Sequence, residues 1–343
     1  MVVKILFIWE VKEDLQRYFK VKLTKYSEKE IELIFITPYS EEQAKFYVEE
    51  VDMIIGWRPK KEFLQKAKKA IVFNNPGAGV QHLIPVFREL NKERITPIYL
   101  CNCHGNAYFT AQHAVALLLA VTNKVINHHT WMKEGIWRTG DEEAQSIPLQ
   151  KKTIGLLGYG AINQKVHRFM SGFEVKFAIC KRSRDVNSML GNNQIKIFTT
   201  SQLHEFLELV DILVIAIPIT METKKLLRRE ELELLGPEGI VINMARGDII
   251  DQDDLFTVLQ EKKIAGAGLD VWYNYNPEEK EGKKYPYDEK NAFHKLENVV
   301  LSPHRGASPM DNLERWDDVL YNIKQLVEGQ REFKNKIDLK LEY

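Results

Sequence analysis

The chain has 343 residues, 44% of them hydrophobic, with 48 Lys and Arg against 48 Asp and Glu. That length accommodates about two domains of roughly 150 residues each, and the charge balance excludes a global field that would hold nucleic acid or an anionic membrane surface. The longest purely apolar run, Ala114 to Val121, has eight residues, well short of the ~20 of a membrane-spanning helix, so neither a membrane nor a nucleic-acid partner is expected.

The N-terminal run Val2 to Trp9 is broken by Lys4 and followed by Glu10. It lacks the small-residue cleavage site of a signal peptide and reads as a first strand of a cytoplasmic protein. Further short β-rich runs follow, "IELIFIT", "DMIIGW", "AIVFNN" and "PIYLCN", each separated by polar segments of helical composition. This alternation predicts a parallel sheet covered by helices. Cys101, Cys103 and Cys180 are too few for a disulfide framework, and Cys101-x-Cys103 lacks a second ligand pair for zinc. They read as free thiols, and no metal site is expected. A helical pattern then runs from about Thr110 to Glu134, and its "AQHAVALLLAVTNKV" segment is apolar on most faces, as in a helix buried between two bodies.

A second alternating series begins at "TIGLLG" and continues through "EVKFAIC", "DILVIAIP", "GIVINMA", "AGAGLDVW" and "NVVLSP". That is the element pattern of a doubly wound α/β nucleotide-binding domain. Its first turn, "GLLGYGAIN", supplies Gly158 for the tight turn and Gly160 for close approach of a pyrophosphate to the helix N-terminus. Asn163 stands where the third glycine of G-x-G-x-x-G packs helix on strand, and its side chain is expected to push the helix outward at about 1 kcal/mol. Gly172 is placed to cap that helix. About 20 residues on, where an NAD site places an acid, the chain reads "CKRSRDV", with Lys181, Arg182 and Ser183. Cations and a hydroxyl suit a 2′-phosphate, so NADP(H) is expected over NAD(H), with NAD(H) still possible; an ordinary solvated basic turn is the bland alternative. Trp272 to Phe293 is Lys/Glu/Tyr-rich and aperiodic and reads as an exposed loop.

Five motifs together resemble the D-isomer-specific 2-hydroxyacid dehydrogenase family, over nearly the whole length: "NNPGAGVQHL", "GNAYFTAQHAVALLLA", "INMARGDIIDQDDL", "GAGLDVW" and "LSPHRGA". Gln81 and Gln112 replace the acids usual at their positions. The resemblance implies an α/β fold of two doubly wound parallel-sheet domains, with a Rossmann nucleotide-binding domain (106–308) inserted into a flavodoxin-like substrate domain (1–105 and 309–343). It implies hydride transfer between a nicotinamide cofactor and a small 2-oxoacid or D-2-hydroxyacid such as glyoxylate or hydroxypyruvate, in a homodimer joined through the long apolar helix. Arg246 would hold the substrate carboxylate and carbonyl, the amides of Ala78, Gly79 and Val80 would meet the same carboxylate, and His304 would exchange the proton. Cofactor contacts fall on Gly158, Tyr159, Gly160, Ala161, Ile162, Pro218, Thr223, Ala245 and Asp270, the last equally readable as a local strand-end cap. Trp137 is either an aromatic wall of the site or a core residue.

The family's third catalytic group, a glutamate shortly after D-V-[FW], is missing. Its place falls on Tyr275 or, with one insertion, Asn276, neither an acid, while Glu278 and Glu279 follow directly and the charged loop after Pro277 could fold one of them back toward His304. A neutral partner would lower the histidine pKa and make reduction fail above a lower pH. Two other readings stay open. A degraded triad fits an NAD(P)-sensing binding protein, and a phosphoglycerate dehydrogenase is less favoured because "NKIDLKLEY" resembles the short terminus of the simpler members.

Overall fold

Short β-branched runs, each followed by an amphipathic stretch, build two separate parallel sheets in the computed structural model, which describes residues 2–26, 30–182, 195–308 and 312–343. The chain divides into two units, Met1–Asn106 with Met310–Tyr343, and Ala107–Pro309.

The first unit runs β1 (Val3–Phe7), α1 (Glu13–Lys22), β2 (Ile31–Ile34), α2 (Glu41–Tyr47), β3 (Met53–Ile55), α3 (Lys61–Lys66), β4 (Val72–Asn74), α4 (Ile84–Glu93) and β5 (Tyr99–Cys101). Its five strands are parallel in the order β2-β1-β3-β4-β5, the flavodoxin-like winding. β3 and β4 are buried along their whole length, which is why β3, Met-Ile-Ile, reads as an unbroken apolar run rather than an alternating one. α1 turns Leu15 and Phe19 inward, one helical repeat apart.

The second unit contributes α5 (Ala107–Thr122), α6 (Val125–Lys133), β6 (Thr153–Leu157), α7 (Ala161–Met170), β7 (Lys176–Cys180), β8 (Lys196–Phe198), α8 (Leu203–Leu209), β9 (Ile212–Ile215), α9 (Arg229–Glu233), β10 (Ile240–Asn243), α10 (Gln252–Gln260), β11 (Gly266–Leu269) and β12 (Val299–Leu301). α11 (Asp317–Val327) belongs to the first unit again. The seven strands lie parallel in the order β12-β11-β10-β9-β6-β7-β8, so winding reverses between β6 and β9. Such a reversal leaves a crevice beyond the strand C-termini, where ligands of doubly wound sheets bind.

Glycines decide how closely helices approach this sheet. A Cβ on Gly268 would lie 2.9 Å from both Ile242 Cδ1 and Leu117 Cβ, and one on Gly266 would meet Val121 Cγ1 at 3.1 Å. The "GAG" of β11 is thus the floor on which α5 rests.

Four local expectations need correction. The helical run from Thr110 to Glu134 is two helices meeting at 61°, with Lys124 at the break in the left-handed region (φ 49°). Neither is long and apolar enough to cross a membrane. The loop after β11 is not simply exposed, because Trp272, Tyr287 and Phe293 are buried in the core of this unit. β8 was not anticipated: its "KIF" is three residues at a sheet edge, too short to carry a period. Finally, Glu174, not Gly172, takes the left-handed position after α7 (φ 55°).

Replacing Gly268 with Val should cost about 1–3 kcal/mol by overpacking, seen as a lower denaturant midpoint for the second unit. An unchanged midpoint would mean that α5 does not rest on β11.

Candidate active site

Gly158 adopts φ +83°, and a Cβ there would sit 2.6 Å from Ile217 Cγ2 and 2.8 Å from the Ala216 carbonyl oxygen. Only glycine fits this turn. At Gly160 a Cβ would meet nothing within 4 Å, and α7 starts there without a side-chain cap. Its first amide hydrogens, including those of Ala161 and Ile162, therefore face an open space beside the positive end of a ten-residue helix. That combination fits the pyrophosphate of a dinucleotide.

Asn163 does not behave as an overpacked residue. It is fully buried, and its Nδ2 donates to the carbonyls of Leu157 (3.2 Å), Gly158 (2.7 Å) and Val214 (3.2 Å). The side chain ties the end of β6, the glycine turn and β9 together. Tyr159 is held from the other side by a 2.7 Å hydrogen bond between its hydroxyl and His167 Nδ1.

At the end of β7, Cys180 is buried and Lys181 and Arg182 follow, with no acid at that position. Arg182 lies 3.5 Å from Glu222, and Ser183 lies outside the described residues. Past β9, Thr223 Oγ1 donates to the Pro218 carbonyl (2.7 Å) and accepts from Thr220 N (2.8 Å), which fixes the next turn on the same sheet edge.

Arg246 follows β10. Asn243, the last residue of that strand, accepts from Ala245 N (3.0 Å) and donates to the Arg246 carbonyl (3.0 Å). A Cβ at Gly247 would lie 2.5 Å from the Trp272 backbone, so this glycine lets the Arg246 turn close on the segment after β11. The guanidinium is partly buried, donates to the Ala245 carbonyl (2.6 Å), and is paired with no carboxylate among the described residues. Burial lowers its pKa, opposed by the field of Tyr275. A half-buried, unpaired guanidinium is a ready anion site.

His304 follows β12 with φ +56°, an uncommon backbone conformation for a non-glycine residue. Asp270, at the end of β11, imposes it. Its Oδ1 accepts from Arg305 N (2.8 Å) and Ser302 Oγ (2.5 Å), and its Oδ2 accepts from Gly306 N (3.0 Å). In this structure the Asp270 carboxylate thus acts as a cap on the His304 turn. The Tyr275 ring packs on the imidazole at 5.3 Å and 60°, but its hydroxyl turns back to accept from Trp272 N (3.3 Å). Asn276 is exposed and its N–H goes to Asn274 Oδ1 (2.9 Å); its side chain is not brought to the histidine. Glu279 pairs with Lys284 (3.3 Å). Part of the imidazole remains open to solvent. Burial nevertheless lowers its pKa first, the Arg246 charge lowers it further, and Asp270 opposes both.

In the first unit, the loop after β4 carries Ala78, Gly79 and Val80. Its carbonyls are drawn inward: Asn75 Nδ2 donates to Gly77 O (2.6 Å) and Gly79 O (3.3 Å), and Asn102 Nδ2 donates to Ala78 O (2.8 Å). No hydrogen bond among the described residues engages the amides of Ala78, Gly79 and Val80. The loop is an amide cradle of the kind that binds anions. Asn75 and Asn102 escape a reading of the sequence alone because asparagine in "FNNPG" and "LCNC" equally signals an ordinary turn. Trp137 is 74% exposed, so it is not a core residue.

Residues 115–306 match the family model described as D-isomer specific 2-hydroxyacid dehydrogenase, NAD binding domain. The chain is 34% identical over 212 residues to a glyoxylate reductase of Pyrococcus furiosus, covering 60% of this chain and 58% of that protein. It is 30% identical over 272 residues to the glyoxylate reductase of Thermococcus litoralis, covering 76% of each. A solved NADPH-dependent glyoxylate/hydroxypyruvate reductase of Sinorhizobium meliloti, in complex with NADP and malonate, superposes with a TM-score of 0.70 at 23% identity over 99% of this chain and 98% of that one. At that identity the likeness speaks for the fold.

An NMR titration of His304 should place its pKa below the ordinary histidine value of about 6.5, and Tyr275→Glu should raise it. A wild-type value above the ordinary one would reverse the electrostatic account of this histidine.

Proposed function

Because the chain belongs to the D-isomer specific 2-hydroxyacid dehydrogenase family of NAD(P)-dependent oxidoreductases, we propose that it reduces a 2-oxoacid, the class of glyoxylate and hydroxypyruvate, to the D-2-hydroxyacid. The observation that carries this reading is the pairing of a half-buried Arg246, which has no carboxylate partner among the described residues, with a histidine held by Asp270 beside the same Tyr275. A binding protein needs neither group, whereas a reductase needs both.

The nicotinamide cofactor supplies the hydride when bound. Gly158, Gly160 and the start of α7 would hold its pyrophosphate, and Asn163 fixes the turn that would present them. Lys181 and Arg182, with Ser183, favour a 2′-phosphate, so NADPH is the preferred cofactor and NADH the weaker one. Arg246 binds the carboxylate and polarises the carbonyl oxygen by charge-assisted hydrogen bonds. As hydride reaches C2, the imidazolium of His304 gives its proton to the forming alkoxide. The amides of Ala78, Gly79 and Val80 are assigned to a carboxylate on their own unit.

The sign of the pH dependence follows. Reduction requires protonated His304, and its pKa is lowered by burial and by Arg246. Reduction is therefore full at low pH and declines as pH rises through a value below the usual histidine range.

The working form is a homodimer joined through α5 and α6. α6 buries none of its residues, and Val125, Ile126, Met132, Ile136 and Trp137 are 44–74% exposed on it and just after it. An apolar surface of this kind on a water-soluble chain is a docking face, here for a second copy. Light scattering should give a dimer, and Ile126→Glu should shift it toward monomer.

The decisive test is a panel of 2-oxoacids against NADPH and NADH. NADPH should be preferred, and His304→Ala should lower kcat by about 10²–10⁴-fold, the usual worth of a general acid. Arg246→Ala should lower kcat/KM most. Glu278→Gln and Glu279→Gln should leave kcat within about threefold, since both side chains are exposed and Glu279 is paired with Lys284. NADPH binding without turnover of any 2-oxoacid would make the protein a nicotinamide sensor instead.

A further inference from the structure

The two loops that border the glycine turn of the second unit meet each other. β6 lies between β9 and β7 in the sheet, so the segments after β9 and after β7 start two strand spacings apart, roughly 10 Å. Arg182, just past β7, and Glu222, in the loop after β9, nevertheless come to 3.5 Å. Their ion pair therefore spans the end of β6, where Gly158 turns. That end is tied to both neighbouring strands, since Gly158 N donates to the Cys180 carbonyl (2.8 Å) and Ala216 N donates to the Leu157 carbonyl (3.0 Å).

The loop that carries Glu222 is stapled. Thr220 N donates to Thr223 Oγ1 (2.8 Å), Thr223 N donates to Thr220 Oγ1 (3.2 Å), and Lys225 N donates to the Asp248 carbonyl (2.7 Å). Backbone and threonine hydrogen bonds thus set the place of residue 222. With side chains 42% and 80% exposed, Arg182 and Glu222 gain little stability from each other. Their consequence lies in what approaches them. An anion that comes to the Arg182 guanidinium meets a carboxylate already beside it, whereas a hydroxyl finds an acceptor there.

We propose that Glu222 is a determinant of cofactor choice: from the loop after β9 it supplies the acid that the end of β7 lacks, weakening the hold on a 2′-phosphate and favouring a free ribose 2′-hydroxyl. This rests on the reading of Lys181 and Arg182 as the 2′-phosphate side of the nucleotide site. In water, two unit charges 4 Å apart change an equilibrium by about fivefold, and a phosphate monoester carries nearly two charges at neutral pH. One carboxylate on this loop is enough to move the discrimination between the two cofactors by about fivefold, with the glycine turn left as it is.

The test is equilibrium binding of NADPH and NADH to the full chain, followed by nicotinamide fluorescence, in the wild type, Glu222→Gln and Glu222→Asp. The quantity read is the ratio of the NADH dissociation constant to that of NADPH. Glu222→Gln should raise it about fivefold, by tightening NADPH while NADH is unchanged or weakened, and the gain should shrink in 1 M salt, where charges are screened beyond about 3 Å. Glu222→Asp keeps the charge and should stay within about twofold of the wild type. A ratio unmoved or lowered in Glu222→Gln overturns the proposal, as does a gain that 1 M salt leaves undiminished. If the wild type binds NADH more tightly than NADPH, the 2′-phosphate reading fails by itself, and the shift of the ratio in Glu222→Gln still decides the role of Glu222.

Discussion

The Asp270 carboxylate is the constraint on which the C-terminal sheet edge of the second unit depends. It is 2% exposed, and a buried charge of this kind is tolerable only when hydrogen bonds replace its water. Three donors do so, Ser302 Oγ, Arg305 N and Gly306 N, all from the segment around His304. Solvating the carboxylate and bending the chain are therefore one event. The bend carries His304 into the left-handed region and requires Gly306, where a Cβ would lie 2.8 Å from Asp270 Oδ2. α5 adds a further link, because His113 Nε2 lies 2.8 Å from Ser302 Oγ. Since the serine hydroxyl donates to Asp270, His113 must donate to the serine, which assigns its proton to Nε2.

Each unit places its chemistry on the same geometric feature, the C-terminal edge of a parallel sheet. In the second unit the turns after β6, β9, β10, β11 and β12 carry the glycine loop, Pro218, Arg246, Asp270 and His304 in succession. In the first, the ends of β1, β3 and β4 carry Trp9, Trp57 and the amide cradle. Strands of this kind are apolar on both faces and leave no room for function within the sheet, so polar groups accumulate where the backbone first meets solvent. Asparagine recurs at these edges, as Asn74, Asn75, Asn102, Asn163 and Asn243, all at most 6% exposed. Its amide can donate to loop carbonyls without bringing a charge, and so turns backbone N–H groups outward.

The sequence was informative wherever a signal is local and periodic. Eleven of the strand runs follow from apolar clusters between polar segments, Gly158 follows from its strand–turn–helix context, and Arg246 and His304 follow from the resemblance to the family. What escaped it depends on contacts between distant residues. Asn163 looked like a misplaced bulk in a glycine position, because a sequence cannot reveal that Leu157 O, Gly158 O and Val214 O converge there. The charged segment after β11 looked like a solvated loop because its composition averages Lys and Glu with aromatics. In three dimensions the rings separate from the charges: Tyr287 and Phe293 meet Trp272 in the core while Lys280, Lys284 and Glu289 stay outside.

Tyr275 is where local chemistry departs most from the motif around it. A glutamate at that place would be an anion facing an imidazole and would favour the charged ring; a phenol at working pH has no charge to offer, and burial raises its pKa further. Among the described residues, the carboxylate field acting on His304 is that of Asp270, whose two oxygens are already engaged by the turn and which is outweighed by burial and by Arg246. The cost to the imidazolium has a counterpart. On the function proposed above, a histidine that is neutral over a wider pH range would be an available base for the reverse, oxidising direction. The aromatic ring also covers one side of the imidazole without competing for its nitrogens, because the Tyr275 hydroxyl is bound to Trp272 N. Exchanging the acid for a ring therefore keeps the histidine in place and favours its neutral form.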